Sequence, residues 1–183
     1  MSIQTSHEGR LFETRNDIDR DARIRIVESL NQTLADTTDL MTQVKHAHWN
    51  VKGPQFQPLH ELFDDQAAMF ADHADVVAER ATALGGHAMG TARMAADDSR
   101  LSEYPEDALD GLECVEALAD RFATHGEHLR AGIEMAQDAG DEDTVDLYID
   151  LSRDVDKQLW FLEAHLQDDG TVEETGISAA EHA

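Results

Sequence analysis

Apolar residues recur at spacings of three and four through most of this chain, and long helices packed side by side are what bury such a pattern. Val27, Leu30, Leu34, Thr37, Met41, Val44 and His48 form one seam of this kind. Leu112, Val115, Ala119, Phe122, Gly126, Leu129, Ile133 and Ala136 form another, and Val145, Tyr148, Leu151, Val155, Leu159, Leu162 and Leu166 a third. Stop signals divide the seams. Asp19 is a good N-cap, Gly53-Pro54 breaks the chain with Pro54 suited to the first turn of the next helix, and Gly85-Gly86 and Gly140 end helices. The pattern predicts helices over 19–51, 54–84, 106–139 and 142–167. Residues 87–105 form a connection long enough to cross a bundle from end to end, with room for a short helix at Ala92–Asp98. The expected fold is an all-α four-helix bundle spanning 19–168, between an N-terminal tail (1–18) and an acidic C-terminal tail (169–183).

Charge narrows the function. With 39 Asp+Glu against 14 Lys+Arg the chain carries −25, a self-repulsion tolerated best where salt screens it. This points to an extreme halophile with a salt-filled cytoplasm. The same charge opposes DNA binding, which needs Lys and Arg on the phosphates. Cys114 is the sole cysteine, so no intrachain disulfide forms, and it reads as a small helical side chain. No stretch is long and apolar enough to span a membrane, and the start lacks a secretory h-region, so a cytoplasmic protein is expected.

The second predicted helix carries His60, Asp64, Asp75 and Glu79 within about 100° of arc, on one face. Along its axis Asp64 and Asp75 are about 16 Å apart, and His60 and Glu79 about 28 Å. Metal–ligand bonds are about 2 Å long, so one helix cannot gather all four around one ion. The pairs 60/79 and 64/75 nevertheless share one midpoint, between Met69 and Phe70. A second, antiparallel copy related by a twofold axis there sets His60 against Glu79 and Asp64 against Asp75, making two identical metal sites from two chains. In so acidic a chain, a solvated face is the competing reading. No histidine has a glutamate three residues earlier. The Glu-x-x-His pairs of a di-iron site inside one bundle are therefore absent. His125, His128 and His165 read as surface or bundle-edge residues.

The run HAHWNVKGPQFQPLHELFDDQAAMFADHADVVAERATALGG, from His46 to Gly86, resembles the ferroxidase signature of the Dps family, the dodecameric miniferritins. The stretch GDEDTVDLYIDLSRDVDKQLWFLEAHL, residues 140–166, resembles the family's last helix, and the similarity spans about residues 14–168. The resemblance implies a ferritin-like bundle in a homododecamer. It implies an enzyme, a ferroxidase, that oxidises Fe(II) with hydrogen peroxide or dioxygen and stores ferric mineral, protecting against oxidative damage. By motif position, His48, His60 and Asp64 of one chain would meet Asp75 and Glu79 of its twofold partner. Glu79 would chelate or bridge iron, His48 and His60 would donate nitrogen, and Asp75 would be a weaker ligand or would orient His60. Trp49 would pack at the dimer seam and quench oxidising equivalents. Glu142, Asp146 and Asp150, four apart at the start of the last helix, would line an acidic iron-entry pore on a threefold axis; a solvated face is the alternative. The competing function is a nucleoid- or DNA-binding protection protein with secondary iron chemistry.

Overall fold

A computed structural model describes residues 11–167, so the expectations for residues 1–10 and for the acidic tail lie outside the described residues. Five helices follow in order: α1 (Arg20–Asn50), α2 (Phe56–Ala83), α3 (Ala92–Asp98), α4 (Gly111–Ala139) and α5 (Glu142–Leu166). No strand occurs among the described residues. The four long helices form the bundle, with α1 packed on α2 and α4, and α5 on α4 and α2. The short α3 lies in the crossover and rests on α1. None of the described helices is long and apolar enough to cross a membrane.

Each boundary has a local cause. Asp19 caps α1 by accepting the amides of Asp21 and Ala22 (2.8 and 3.3 Å). Gly53 then turns the chain at φ +107°, which favours glycine, and its carbonyl accepts the Phe56 amide at 3.1 Å. Pro54 consequently sits in this turn, and α2 starts at Phe56 rather than at the proline. The fourth helix begins five residues later than its acidic run predicts. Ala108 closes a tight turn onto the Pro105 carbonyl (3.1 Å), and Asp110 and Glu113 form a capping box that starts the helix at Gly111. Leu112, placed in the core by periodicity, falls in this first turn and is 46% exposed. Leu166, in the last turn of α5, is likewise exposed.

The core is apolar over most of its length, with Ile26, Leu30, Leu40, Phe63, Phe70, Leu118, Phe122, Leu129 and Leu162 wholly buried. Polar groups interrupt it at several levels. Asp36 of α1, 0% exposed, accepts the Arg100 amide (2.8 Å) and guanidinium (3.0 and 2.6 Å), which pins the crossover to the bundle. The His128 Nδ1 lies 3.3 Å from the same carboxylate. His125 is 1% exposed, against the expectation of a surface or edge position. It stands three residues after Phe122 and four before Leu129, which puts it on the inward seam. Cys114 is buried and donates to the Ala108 carbonyl at 3.2 Å. Residues 11–18 lie along the bundle: the Phe12 amide donates to the Gly85 carbonyl (2.8 Å) and the Arg23 Nε to the Ile18 carbonyl (3.1 Å).

Candidate metal centre

The end of α1 and the first turns of α2 bring His48 and His60 together. Their rings stack with centroids 3.8 Å apart and planes 19° from parallel. Each Nδ1 lies 2.8 Å from the backbone carbonyl of the other residue. A carbonyl only accepts, so both Nδ1 atoms carry a proton, and in the neutral rings it is Nε2 that presents the lone pair. A histidine that ligates a metal through Nε2 typically has its Nδ1–H held by this kind of orienting bond. Phe56 stacks on the outer side of His60, with centroids 5.1 Å apart.

Asp64, one turn after His60, places its Oδ1 3.9 Å from the His48 Nε2. The Lys45 ammonium donates to that oxygen. This hydrogen bond, with Lys45, His48 and His60 adding attraction, holds the Asp64 carboxyl below the ordinary carboxylate range. Trp49, beside His48, is 68% exposed, a large apolar surface left open at the site's margin.

Asp75 and Glu79 lie further along α2, on exposed positions, and a single chain does not bring them to the histidines. Their carboxylates make no hydrogen bond or ion pair among the described residues. No group of three or more ligand-type side chains within the described chain could hold a metal ion. One chain therefore gathers three donors where the end of α1 meets the start of α2 and leaves two uncommitted carboxylates toward the other end of α2.

Glu142, Asp146 and Asp150 are exposed along the first turns of α5, where Asp150 pairs with Arg153. Sequence reasoning passed over three residues here. Lys45, three positions before His48, lies on the same face of α1, and that spacing was its signal. Arg80 and Asp141 form a largely buried ion pair at 2.6 Å that joins the end of α2 to the start of α5. Nothing in the local pattern marks the pair, because its members are 61 positions apart.

Comparison with known proteins fits this architecture. Residues 27–171 match the ferritin-like domain. The DNA protection during starvation protein of Agrobacterium fabrum is 39% identical over 155 residues, 85% of this chain and 96% of its own length. DpsA14 from Streptomyces coelicolor superposes with a TM-score of 0.83 at 36% identity, covering 88% of this chain and 96% of that one. A Dps protein from Vibrio cholerae O1, a member of a broad superfamily of ferritin-like diiron-carboxylate proteins, gives a TM-score of 0.78 at 27% identity over 82% of this chain and 94% of its own. The fold is thus a ferritin-like four-helix bundle with a short extra helix in its crossover. Within that class, the chain belongs to the Dps family.

Proposed function

We propose that this protein oxidises Fe(II) at sites shared by two subunits and stores the ferric product inside a hollow dodecamer. The observation that carries the reading is the division of donors along α2. His48 stacks on His60 and puts its Nε2 3.9 Å from Asp64, while the unpartnered Asp75 and Glu79 share with Asp64 and His60 a midpoint between Met69 and Phe70. Two antiparallel copies would complete two mixed nitrogen and oxygen sites, a donor set suited to Fe(II).

The substrate is Fe(II), and hydrogen peroxide is the preferred oxidant, with dioxygen the alternative. Two Fe(II) ions give one electron each, and with two protons the peroxide becomes two waters. No hydroxyl radical is released, so the reaction is protective as well as a route to storage. His48 and His60 serve as neutral donors, and the carboxylates of Asp64, Asp75 and Glu79 balance the charge gained on oxidation. Lys45 neutralises Asp64 in the free subunit and moves aside as the cation arrives. Trp49, exposed next to His48, packs against the partner and takes up stray oxidising equivalents. Glu142, Asp146 and Asp150 focus the field that draws Fe(II) inward. The setting is a salt-rich cytoplasm.

Binding to DNA as the main activity is disfavoured. A charge of −25 per chain is about −300 over twelve chains, repelled by a polyanion at any salt low enough for phosphate contacts to matter. In molar salt the protein is expected to run as a particle near 244 kDa, twelve chains of 20.3 kDa, and to consume Fe(II) and peroxide in a two-to-one ratio. A monomer that oxidises Fe(II) at full rate overturns the proposal. So does tight, salt-resistant retardation of DNA by a particle that oxidises no iron.

A further inference from the structure

Helices α2 and α5 meet through polar rungs spaced seven residues apart on α2. Gln66 Nε2 donates to Gln158 Oε1 (3.2 Å), and His73 Nε2 lies 3.2 Å from Asp154 Oδ2. At the third rung the Arg80 Nη2 reaches both Asp141 oxygens (2.6 and 2.7 Å), while its Nε donates to the Thr144 hydroxyl oxygen at 2.9 Å. The partners step back along α5 as the rungs advance along α2, as antiparallel neighbours must. The first two rungs are incomplete, since Gln66 Oε1 and His73 Nδ1 are buried without a partner. The third is the strong one. Asp141 is 2% exposed and also caps α5, accepting the Thr144 amide at 3.2 Å. Burial pushes its carboxyl up, but the bonds from Thr144 and Arg80 outweigh this and hold it below the ordinary range.

This rung sits one peptide bond from Glu79. The first half of α2 is tied to α1 by the reciprocal His48 and His60 bonds. The second half carries Asp75 and Glu79, whose side chains have no tether of their own, so where they stand depends on where the backbone of α2 is held. We infer that the Arg80–Asp141 clamp is a positioning device for iron oxidation, fixing the part of α2 that presents Asp75 and Glu79 to the twofold partner. The inference rests on the shared-site reading above. Arg80 and Asp141 touch no iron in this scheme; they act through Glu79. Metal–ligand distances fall within about 0.2 Å of their standard values, so a slip of this helix end is felt at the metal.

Three variants loosen the clamp by different amounts. Asp141→Asn keeps an N-cap acceptor for α5 but loses the charge. Arg80→Lys keeps the charge but cannot hold Asp141 and Thr144 from two fixed nitrogens. Thr144→Val removes the acceptor of the Arg80 Nε and the hydroxyl that donates to Asp141 Oδ2, but leaves the ion pair itself. The assembled particle is titrated anaerobically with Co(II) alone, and its visible ligand-field absorption is recorded, followed by Fe(II) oxidation kinetics. The expected result is an intact particle with Co(II) Kd raised on the order of 10–100-fold for Asp141→Asn and Arg80→Lys, as for other residues that orient ligands. The absorption envelope shifts, and the KM for Fe(II) rises more than kcat falls. Tyr148→Phe, which removes only a hydroxyl bonded to Ser29 and Thr33 and no atom of the clamp, lowers Tm but leaves Co(II) binding unaltered. Should Asp141→Asn fail to assemble, the two milder variants carry the same expectation.

His60→Gln run alongside separates the two claims. If it binds Co(II) and oxidises iron normally, the shared-site reading falls. If it loses both while the clamp variants keep the original Kd, spectrum and KM, the clamp is merely structural and the inference is overturned.

Discussion

Particles built only of His60→Gln chains, or only of Glu79→Gln chains, are expected to lose Fe(II) oxidation by at least on the order of 100-fold, because even residues that merely orient a metal ligand are worth 10–100-fold. Mixed particles are expected to recover. In a dimer of one chain of each kind, the Glu79→Gln chain supplies His60 and the His60→Gln chain supplies Glu79, so one of the two shared sites is whole and the other doubly broken. If the chains pair at random in equal amounts, half the dimers are mixed, and about one quarter of all sites are restored. Co-expression followed by a rate measurement per particle reads this directly. A site built within one chain gives no recovery at any mixing ratio, because every chain then carries a broken site. That outcome would remove the twofold arrangement, however slow the single variants were. Undiminished rates in both unmixed particles would move the chemistry away from α2 altogether.

The experiment works because the sequence itself states the geometry of the ligand stripe. A helix fixes the angle and rise of every residue, so the spacing of His60, Asp64, Asp75 and Glu79 already excludes gathering these four around one ion on a single helix. The same regularity made the seams, the Asp19 cap, the Gly140 stop and the short helix at Ala92–Asp98 legible. What periodicity does not carry is the identity of the neighbour across a seam. The stacking of His48 on His60 depends on how the ends of α1 and α2 converge, and the grip of Arg100 on Asp36 on where the crossover returns. The polar rungs of Gln66, His73 and Arg80 do repeat every seven residues, yet their meaning depends on α5, some 61 to 92 positions away. Local competition accounts for the misplaced helix starts. Glu106 and Asp107 favour a helix, but the capping box at Asp110 and Glu113 satisfies more amide donors and wins. Residue type alone misplaces His125. Its position on the seam between Phe122 and Leu129 outweighs the general preference of histidine for the surface.

That buried histidine gives the bundle a specific sensitivity to acid. The Thr37 hydroxyl spends its only proton on the Thr33 carbonyl (2.7 Å), so toward the His125 Nε2, 3.4 Å away, it acts as an acceptor. The Nε2 therefore carries the ring proton, and the Nδ1 is a bare lone pair with no partner in the buried core. A second proton would have to go on that atom, creating a charged donor with nothing to receive it. Burial is the largest influence and lowers the His125 pKa to about 4. The Asp36 carboxylate opposes the shift, while His73, His128 and Arg100 reinforce it. In the unfolded chain the ring titrates at 6.5, so between pH 6.5 and 4 the unfolded state holds a proton that the folded state refuses. Stability is complete above that window and falls as the pH drops through it, by about 3 kcal/mol per chain at 1.36 kcal/mol per pKa unit. This is a large share of the 5–15 kcal/mol typical of a folded domain. The window is separable from ordinary acid unfolding, since carboxylates held low, such as Asp141, withdraw their contribution only below 3.8. Denaturation at fixed protein and salt concentration is thus expected to show a steep loss of stability from pH 6.5 to 4. In His125→Gln, which keeps a hydrogen-bonding group beside Thr37 but cannot take the proton, that slope should shrink by about 3 kcal/mol across the window, whatever its stability at neutral pH. A variant that retains the full slope would show that the acid response resides elsewhere in the bundle.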